Sequence, residues 1–217
     1  MSKTDAILTV DVSDAMEKID KLKWQMSDKQ ARQLHDRVIR ATGRKVKGIV
    51  STQVPKKYHI KKRVVAADIG RPKMNPGGAT GNLSCSIPIE GVKHIIGGKT
   101  FPAKGGRHGW TGIKAGKRYK IRTQIVKGQT SVLPEEMKAQ GGNPPFRNLS
   151  ASRLNGATFT RELGVGFPPN NLPLSRVVGL AVPQMPVNRS EEDVQGEIGK
   201  YMLNQIDREF RRIMSGR

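Results

Sequence analysis

The histidines are the side chains in this sequence that most readily suggest metal binding or acid–base catalysis. His59 and His108 lie in strongly basic stretches without nearby carboxylates, so neither has a metal-ligand set beside it. The densest acidic cluster, residues 191–193, opens a predicted helix, where carboxylates favour the positive end of the helix dipole. We therefore expect a non-enzymatic protein that needs no metal or other cofactor.

Neither the paired glycines nor the cysteine forms a catalytic motif. The glycine pairs at 97–98, 105–106 and 141–142 lack the GxxxxGK[ST] spacing of a phosphate-binding loop and a strand-to-helix setting. Cys85 has no second cysteine for a disulfide or a zinc site. It lies in an alternating stretch that predicts a strand, so we expect a small, buried side chain.

Charge gives the strongest functional indication. The net charge is +21, and between Arg44 and Arg122 the only acidic residues are Asp68 and Glu90. Such an excess attracts polyanions, so nucleic acid is the first partner to consider and an acidic protein surface the second. Because no helix-turn-helix or zinc finger is present, sequence-specific recognition is not expected. The candidates for contacts with DNA phosphates or an acidic partner are Lys56, Lys57, Lys61, Lys62, Arg63, Arg71, Lys73 and Arg107.

The N-terminal part of the sequence predicts a strand and a long basic helix. Residues 6–12 are rich in β-branched side chains, which favour a strand. The following helical pattern breaks near Ser27, where Ser27-x-x-Gln30 matches a capping box. We expect Pro55 to end this helix and residues 56–69 to form a short second helix.

The middle of the chain predicts short strands between glycine-rich loops. Residues 82–92 and 117–126 alternate between apolar and polar side chains, as strands do. Residues 97–116 are rich in glycine and lysine and predict an extended arm or loop. Residues 135–151 are irregular.

Isolated aromatic residues are candidates for contacts with other subunits. Phe101 and Trp110 have no local core within the predicted arm, so we expect them to anchor a neighbouring subunit. The alternative is that each ring packs onto its own domain. Trp24 lies near a helix end and is expected in the core or an interface.

The C-terminal part predicts a strand, an apolar segment and an amphipathic helix. Residues 157–163 resemble a strand, and Ser190-x-x-Asp193 matches a second capping box. One apolar stripe follows, formed by Val194, Ile198, Met202, Ile206, Phe210 and Ile213. Together the elements predict one α+β domain over residues 1–217, with an antiparallel sheet flanked by the long N-terminal helix and the C-terminal helix.

Three segments form a longer pattern. Residues 54–63 (VPKKYHIKKR) follow the long basic helix, and residues 112–118 (GIKAGKR) precede an alternating stretch. The most specific segment, residues 172–185 (LPLSRVVGLAVPQM), precedes the last helix. This arrangement resembles the minor tail protein Z family of lambda-like tailed bacteriophages. Members of that family carry a similar Leu-Pro-Ile, then Gly, then Val-Pro-Gln-Met stretch before a C-terminal amphipathic helix.

The resemblance implies a structural virion protein that acts late in tail assembly, completing the head-proximal end of the tail and contributing to the head–tail (neck) junction. It implies a homo-oligomer, a hexameric ring built from heterologous contacts. The implied partners are the tail tube or tail terminator protein, the neck or connector proteins, the tape measure protein and packaged DNA. Val182, Pro183 and Met185, within the motif, are expected at subunit interfaces with Phe101 and Trp110.

The resemblance also implies a location, namely the host cytoplasm during assembly and the virion tail afterwards. The N-terminus lacks the apolar run of a signal peptide, and no stretch approaches the roughly 20 apolar residues of a membrane span. No membrane partner is therefore expected. The alternative function is that of a basic nucleic-acid-binding protein without sequence preference.

Overall fold

The computed structural model describes residues 13–75, 84–91, 93–97, 100–104, 121–133, 146–147, 156–161 and 174–216. Helices and short antiparallel strands both occur there, which confirms the α+β class. The chain divides into two compact units. Unit 1 comprises Met1–Pro55, Lys62–Val92 and Val182–Arg217, and unit 2 comprises Lys56–Lys61 and Lys93–Ala181. The assignment of residues 1–217 to a single domain stays a prediction.

The elements are short, except for two helices. The described helices are α1 (Ser13–Lys23), α2 (Asp28–Lys57), α3 (Lys62–Asp68) and α4 (Glu191–Met214), and a 3-10 turn spans Val182–Gln184. The described strands are β1 (Lys73–Asn75), β2 (Ser84–Ser86), β3 (Lys93–Ile95), β4 (Ala103–Lys104), β5 (Arg122–Thr123), β6 (Ser131–Val132), β7 (Phe146–Arg147), β8 (Thr158–Arg161), β9 (Leu174–Arg176) and β10 (Val178–Ala181). In this part of the chain, no helix is both long and apolar enough to span a membrane.

The predicted break at Ser27 and its capping box are confirmed. The Ser27 backbone N–H donates to Gln30 Oε1 at 2.9 Å, and the Gln30 N–H faces Ser27 Oγ at 3.4 Å. These reciprocal bonds satisfy two of the free N–H groups at the start of α2. The chain therefore turns between α1 and α2 at the position that the sequence specifies.

The expectation that Pro55 ends the long helix is wrong. Helix α2 includes Pro55 and ends at Lys57. The carbonyl of Lys57, which has no partner within the helix, accepts a hydrogen bond from the Lys127 N–H at 2.8 Å. Pro55 lacks only its own N–H, so one helical bond is lost while the N–H groups of the next two residues can still bond four residues back, and the helix continues to Lys57.

The interior of unit 1 is helical. Ala15 and Ile19 of α1 are buried, and α1 lies beside α4, where Lys18 pairs with Asp207 at 2.6 Å. Each fully buried aliphatic side chain stabilises the fold by about 1.5–3 kcal/mol relative to exposure. The predicted stripe of α4 is confirmed at Val194, Ile198, Met202, Ile206 and Ile213, which are buried, while Phe210 is half-buried.

The second predicted capping box is wrong. Ser190 occupies the N-cap position of α4, but its side chain makes no capping hydrogen bond. Its hydroxyl is buried and has no partner among the described residues. The backbone at Ser190 has φ −101° and ψ 2°, outside the β region in which a serine side chain usually reaches back to the helix N–H groups. The acidic residues of the first turn still favour the helix dipole.

A hairpin and a helix pack onto α2 within unit 1. Strands β1 and β2 pair antiparallel with Met74 opposite Cys85. A Cβ atom placed on Gly43 of α2 would lie 2.6 Å from Cys85 Sγ, so only glycine allows this approach. Lys47 Nζ donates to the carbonyl of Ile69 at 2.7 Å, just after α3. The predicted strand 82–92 is thus confirmed at β2. Cys85 is half-buried there, so the prediction of a buried side chain is wrong, and this partial burial raises the pKa of its thiol.

Unit 2 contains small antiparallel sheets in place of the single sheet that was expected. Strand β3 pairs with β10, β4-β5-β6 form a second sheet, and β7-β8-β9 form a third. Two backbone hydrogen bonds, from the Ile96 N–H to the Val177 carbonyl and from the Thr158 N–H to the Ile96 carbonyl, join the β3–β10 sheet to the β7-β8-β9 sheet; both are 2.9 Å long. The strands are two to four residues long, too short for one continuous ladder. The predicted strand at 157–163 is confirmed at β8.

Parts of both predicted irregular segments are regular. Strand β4 lies within 97–116, and β7 lies within 135–151. Cross-strand pairing, which local composition does not reveal, orders these two places. The remainder of the predicted arm and the strand expected at residues 6–12 lie outside the described residues.

Candidate interaction surface

Backbone pairing within unit 2 positions the first group of predicted basic residues. After α2, Tyr58 pairs with Val126, and the His59 N–H donates to the Ile125 carbonyl at 2.9 Å. Tyr58 and Ile60 are buried, so this short segment is fixed by its apolar side chains. The basic residues of the segment, Lys56, Lys57 and Lys61, are all exposed. They can reach a partner, as phosphate contacts require.

The second group lies in unit 1, around α3. Lys62 and Arg63 are exposed in the first turn of α3, which contains no acidic residue. Cations at this end of a helix meet the positive end of its dipole, so their placement does not favour folding. Arg71 and Lys73 are also exposed, and Lys73 alternates with half-buried Met74 on β1. None of these four cations forms an ion pair within the described part of the chain.

One of the predicted interface anchors in unit 2 is a core residue instead. Phe101 is completely buried, and its ring lies against Gly179 of β10, where an added Cβ would approach Phe101 Cε2 to 2.8 Å. Its carbonyl accepts a hydrogen bond from the Gly97 N–H at 2.7 Å. The prediction that Phe101 anchors a neighbour is therefore wrong, because its surface is already covered by its own unit.

The motif residues predicted at subunit interfaces are also interior. Val182, Pro183 and Met185 are buried at the 3-10 turn before α4, and the Met185 N–H donates to the Val182 carbonyl at 3.1 Å. The prediction that they contact a neighbouring subunit is wrong for the same reason as for Phe101. Trp110 and Arg107 lie outside the described residues.

Trp24 differs from its predicted setting as a core residue. It is 94% exposed in the turn between α1 and α2. The core alternative is therefore wrong, and the interface alternative stays a prediction. Lys21 and Lys23 near it are paired with Glu17 and Asp20, so this corner is close to neutral. The Lys21 ammonium also lowers the pKa of Glu17 through a hydrogen bond and its charge.

Sequence reasoning did not connect the basic residues on two helices of unit 1, α2 and α4. Arg37 Nη1 of α2 donates to Glu209 Oε2 of α4 at 3.3 Å. Lys45 Nζ of α2 lies 5.9 Å from the ring centroid of Tyr201 on α4, within cation–π range. The three- and four-residue spacing of Arg37, Arg40 and Arg44 was visible in the sequence. The arrangement of α2 beside α4, which places these cations near those of α4, was not visible in the sequence.

Comparison with protein-family models, curated proteins and solved structures finds no significant match to this chain. Among the described residues, no group of three or more histidine, cysteine, aspartate or glutamate side chains could hold a metal ion.

Proposed function

We propose that this protein is a non-enzymatic structural component of a tailed-phage virion that completes the head-proximal end of the tail and contributes to the head–tail junction. In this proposal it assembles as a homo-oligomeric ring, a hexamer, between the tail tube or terminator and the neck proteins. The motif at residues 172–185 carries the proposal, through its resemblance to the minor tail protein Z family.

The role of this motif in the fold supports the proposal. Its last residues form β10 and the 3-10 turn, with Val182 and Met185 buried directly before the apolar stripe of α4. A motif that leads into the core of its own subunit specifies a fold, so sharing it with a family implies a shared architecture. The assembly role is drawn from that implied architecture.

A second candidate function is sequence-nonspecific binding of nucleic acid. The exposure of the predicted cations at residues 56–73 favours it, since these side chains need only charge and reach to contact phosphates. A tail protein at the path of packaged DNA could combine both functions. If the protein only binds nucleic acid, phage tails should be completed without it.

A nonsense allele of the gene tests the assembly role in the phage or prophage that carries it. A synonymous change at the same codon is the control, and the wild-type gene supplied in trans tests for rescue. We expect DNA-filled heads with unfinished, unjoined or inactive tails by electron microscopy, and restored particles on complementation. Complete infectious particles at normal yield from the nonsense allele would refute the assembly role.

A pair of point variants tests whether the buried position of the motif matters for assembly. Val182→Asp places a carboxylate in the core and should reproduce the nonsense phenotype, because an unpaired buried charge is strongly unfavourable. Val187→Asp changes the exposed valine five residues later and should leave particle yield unchanged. Equal yields from the two variants would contradict the buried position of the motif.

A further inference from the structure

Two contacts define how α2 and α4 face each other in unit 1. Arg37 bonds to Glu209, and Lys45 lies over the ring of Tyr201. Moving eight residues forward on α2, from 37 to 45, corresponds to moving eight residues back on α4, from 209 to 201. The two helices therefore run antiparallel, and the residues between these contacts lie along a common seam.

Each of the two helices buries one side in unit 1. On α2 this side carries Leu34 and Val38, and on α4 it carries Met202 and Ile206. On the outer side, Arg40 and Arg44 of α2 and Arg208 of α4 are exposed between the two contacts. Residues three and four apart share a face of a helix, so Arg37, Arg40 and Arg44 form one row.

Arg212 lies one turn beyond Arg208 on α4 and completes the opposite row. The basic seam, as defined here, consists of Arg37, Arg40, Arg44, Lys45, Arg208 and Arg212.

The basic seam carries far more positive than negative charge. Glu209, whose side chain is 12% exposed, is the carboxylate within it and is shared by Arg37 at 3.3 Å and Arg212 at 4.0 Å. Asp36 lies four residues before Arg40 and therefore shares its face of α2, so six cations less two carboxylates leave a net charge of +4. Arg40, Arg44 and Arg208 form no ion pair within the described residues. Exposed Glu197 lies four residues before Tyr201 on α4, beyond the seam.

The chemistry of the seam fits a nucleic-acid backbone better than a protein partner. Protein interfaces bury a centre rich in aromatic and aliphatic groups and poor in charge. The large exposed hydrophobic residues in the described part of the chain all lie outside the seam: Trp24, Val132, Leu174, Val187 and Met214. Protein–DNA interfaces are polar and strongly positive, as this surface is.

The dimensions of the seam suit several phosphates. The eight residues from Arg37 to Lys45 span roughly 12 Å along the helix axis, at about 1.5 Å per residue. One DNA strand presents a phosphate about every 3.4 Å along the duplex axis, so roughly three or four lie opposite the seam. We infer that the basic seam binds the phosphate backbone of duplex DNA without reading its sequence. This inference adds a surface to the second candidate function, sequence-nonspecific binding of nucleic acid, and rests on that function and not on the assembly role.

Binding of a labelled random-sequence duplex of about 30 base pairs, measured by fluorescence anisotropy at several salt concentrations, tests the seam. The test variant of the full-length chain combines Arg40→Gln, Arg44→Gln and Arg208→Gln. The control variant combines Lys93→Gln, Arg122→Gln and Arg176→Gln, which removes the same charge from exposed positions in unit 2. Far-UV circular dichroism establishes that both variants are folded.

The expected result is specific to the seam. The test variant should raise the Kd at least about tenfold near 100 mM salt and reduce the slope of log K against log salt by roughly 2.7, about 0.9 for each lost phosphate contact. The control variant should change the Kd less than about threefold, because its charges act only at long range. Equal losses in the two variants, or wild-type binding by the test variant, would overturn the inference.

Two further measurements separate DNA from an acidic protein as the partner. Glu209→Gln removes the carboxylate of the seam and should tighten DNA binding about two- to fivefold, the ratio expected for one ion-pair interaction. Polyglutamate of matched total charge should compete poorly with the duplex. If polyglutamate displaces the duplex at equal charge concentration and loses affinity equally in the test variant, the seam recognises acidic protein and the inference is wrong.

These outcomes are distinct from those of the nonsense allele. A protein that finishes tails while its purified test variant binds DNA normally would keep its assembly role and lose the seam. A protein that binds DNA through the seam but is dispensable for particles would keep the seam and lose the assembly role.

Discussion

Two glycines of α2 offer a matched test of how the β1–β2 hairpin packs onto this helix. Gly43 is buried and faces Cys85 Sγ, with Met74 Cε also near, whereas a Cβ on Gly48 would meet nothing within 4 Å. Replacing a helical glycine by alanine stabilises the helix by about 1 kcal/mol. Gly48→Ala should therefore raise the free energy of unfolding by up to that amount.

Gly43→Ala carries the same helical gain and an opposing steric cost. Its Cβ would lie 2.6 Å from Cys85 Sγ and 3.1 Å from Met74 Cε. The sulfur belongs to a short side chain with little freedom to move, so the cost should match that of overfilling a core, about 1–3 kcal/mol. The net change is a loss of about 0–2 kcal/mol, and the difference from Gly48→Ala equals the steric cost alone.

Urea unfolding followed by far-UV circular dichroism measures both variants through the helices, most of which belong to unit 1. Cys85→Ala removes the sulfur and leaves the residue 85 Cβ at 3.6 Å, an ordinary contact. In that background Gly43→Ala should recover about 1–3 kcal/mol, a coupling expected only of residues in contact. If Gly43→Ala and Gly48→Ala shift the urea midpoint equally, the hairpin does not lie on α2 as described.

Further substitutions and a pH titration test the other assignments. Lys62→Glu should stabilise the protein by up to about 1 kcal/mol in a thermal melt at low salt, because it places a negative charge in the first turn of α3; a loss of stability would contradict this position. Ser190→Ala should be neutral or slightly stabilising in urea, unlike the loss of about 0.5–2 kcal/mol for a bonded N-cap serine, because the buried hydroxyl has no partner among the described residues. Phe101→Ala should lower the free energy of unfolding by about 3–5 kcal/mol by opening a cavity in unit 2, whereas Val132→Ala, at a half-exposed position, should lower it little. Similar small losses in both variants would contradict the burial of Phe101. Cys85 in the folded protein should react more slowly with iodoacetamide at pH 8 than in urea, because burial raises its pKa. Since the folded state then keeps a proton that the unfolded state loses, stability should fall as the pH rises above the ordinary thiol pKa, and the fall should be absent in Cys85→Ala.

Features determined by neighbouring residues were predictable from the sequence. The Ser27–Gln30 capping box depends on residues three apart, and the stripe from Val194 to Ile213 depends on helical periodicity. Both are specified within a few turns of chain, so a pattern in the sequence is sufficient to find them. The capping box at Ser190 had the same pattern but failed, because the backbone entering α4 places the serine hydroxyl in the interior.

Features determined by distant residues were not predictable. Strand β3 pairs with β10, which lies at the other end of unit 2 in sequence. Phe101 is covered because Gly179 of that same strand leaves room for its ring. Neither residue indicates the other in the local sequence, so an aromatic residue in a glycine-rich segment was assigned to an interface. The last carbonyl of α2 is likewise satisfied from a distance, since its hydrogen bond comes from the Lys127 N–H.

The candidate surface was predictable in kind but not in place. The charge of the chain indicated a polyanion or an acidic partner, and the exposed cations at residues 56–73 agree with the predicted accessibility. The basic seam, however, depends on the antiparallel arrangement of α2 and α4, which places the row of Arg40 and Arg44 and the row of Arg208 on facing helices. A single helical row is ordinarily a solvated face, and two facing rows with one carboxylate between them form a larger positive field than either helix alone.

The buried motif and the exposed cations carry different kinds of information. Val182 and Met185, which lie within the segment that carries the resemblance, are covered by their own subunit. They indicate an architecture, whereas contacts with other molecules depend on exposed residues that a core motif does not constrain. An assembly protein can therefore keep its motif while its surface charge changes. For this reason, the assembly role must be tested by complementation in the phage, and the partner of the basic seam by binding of the purified chain.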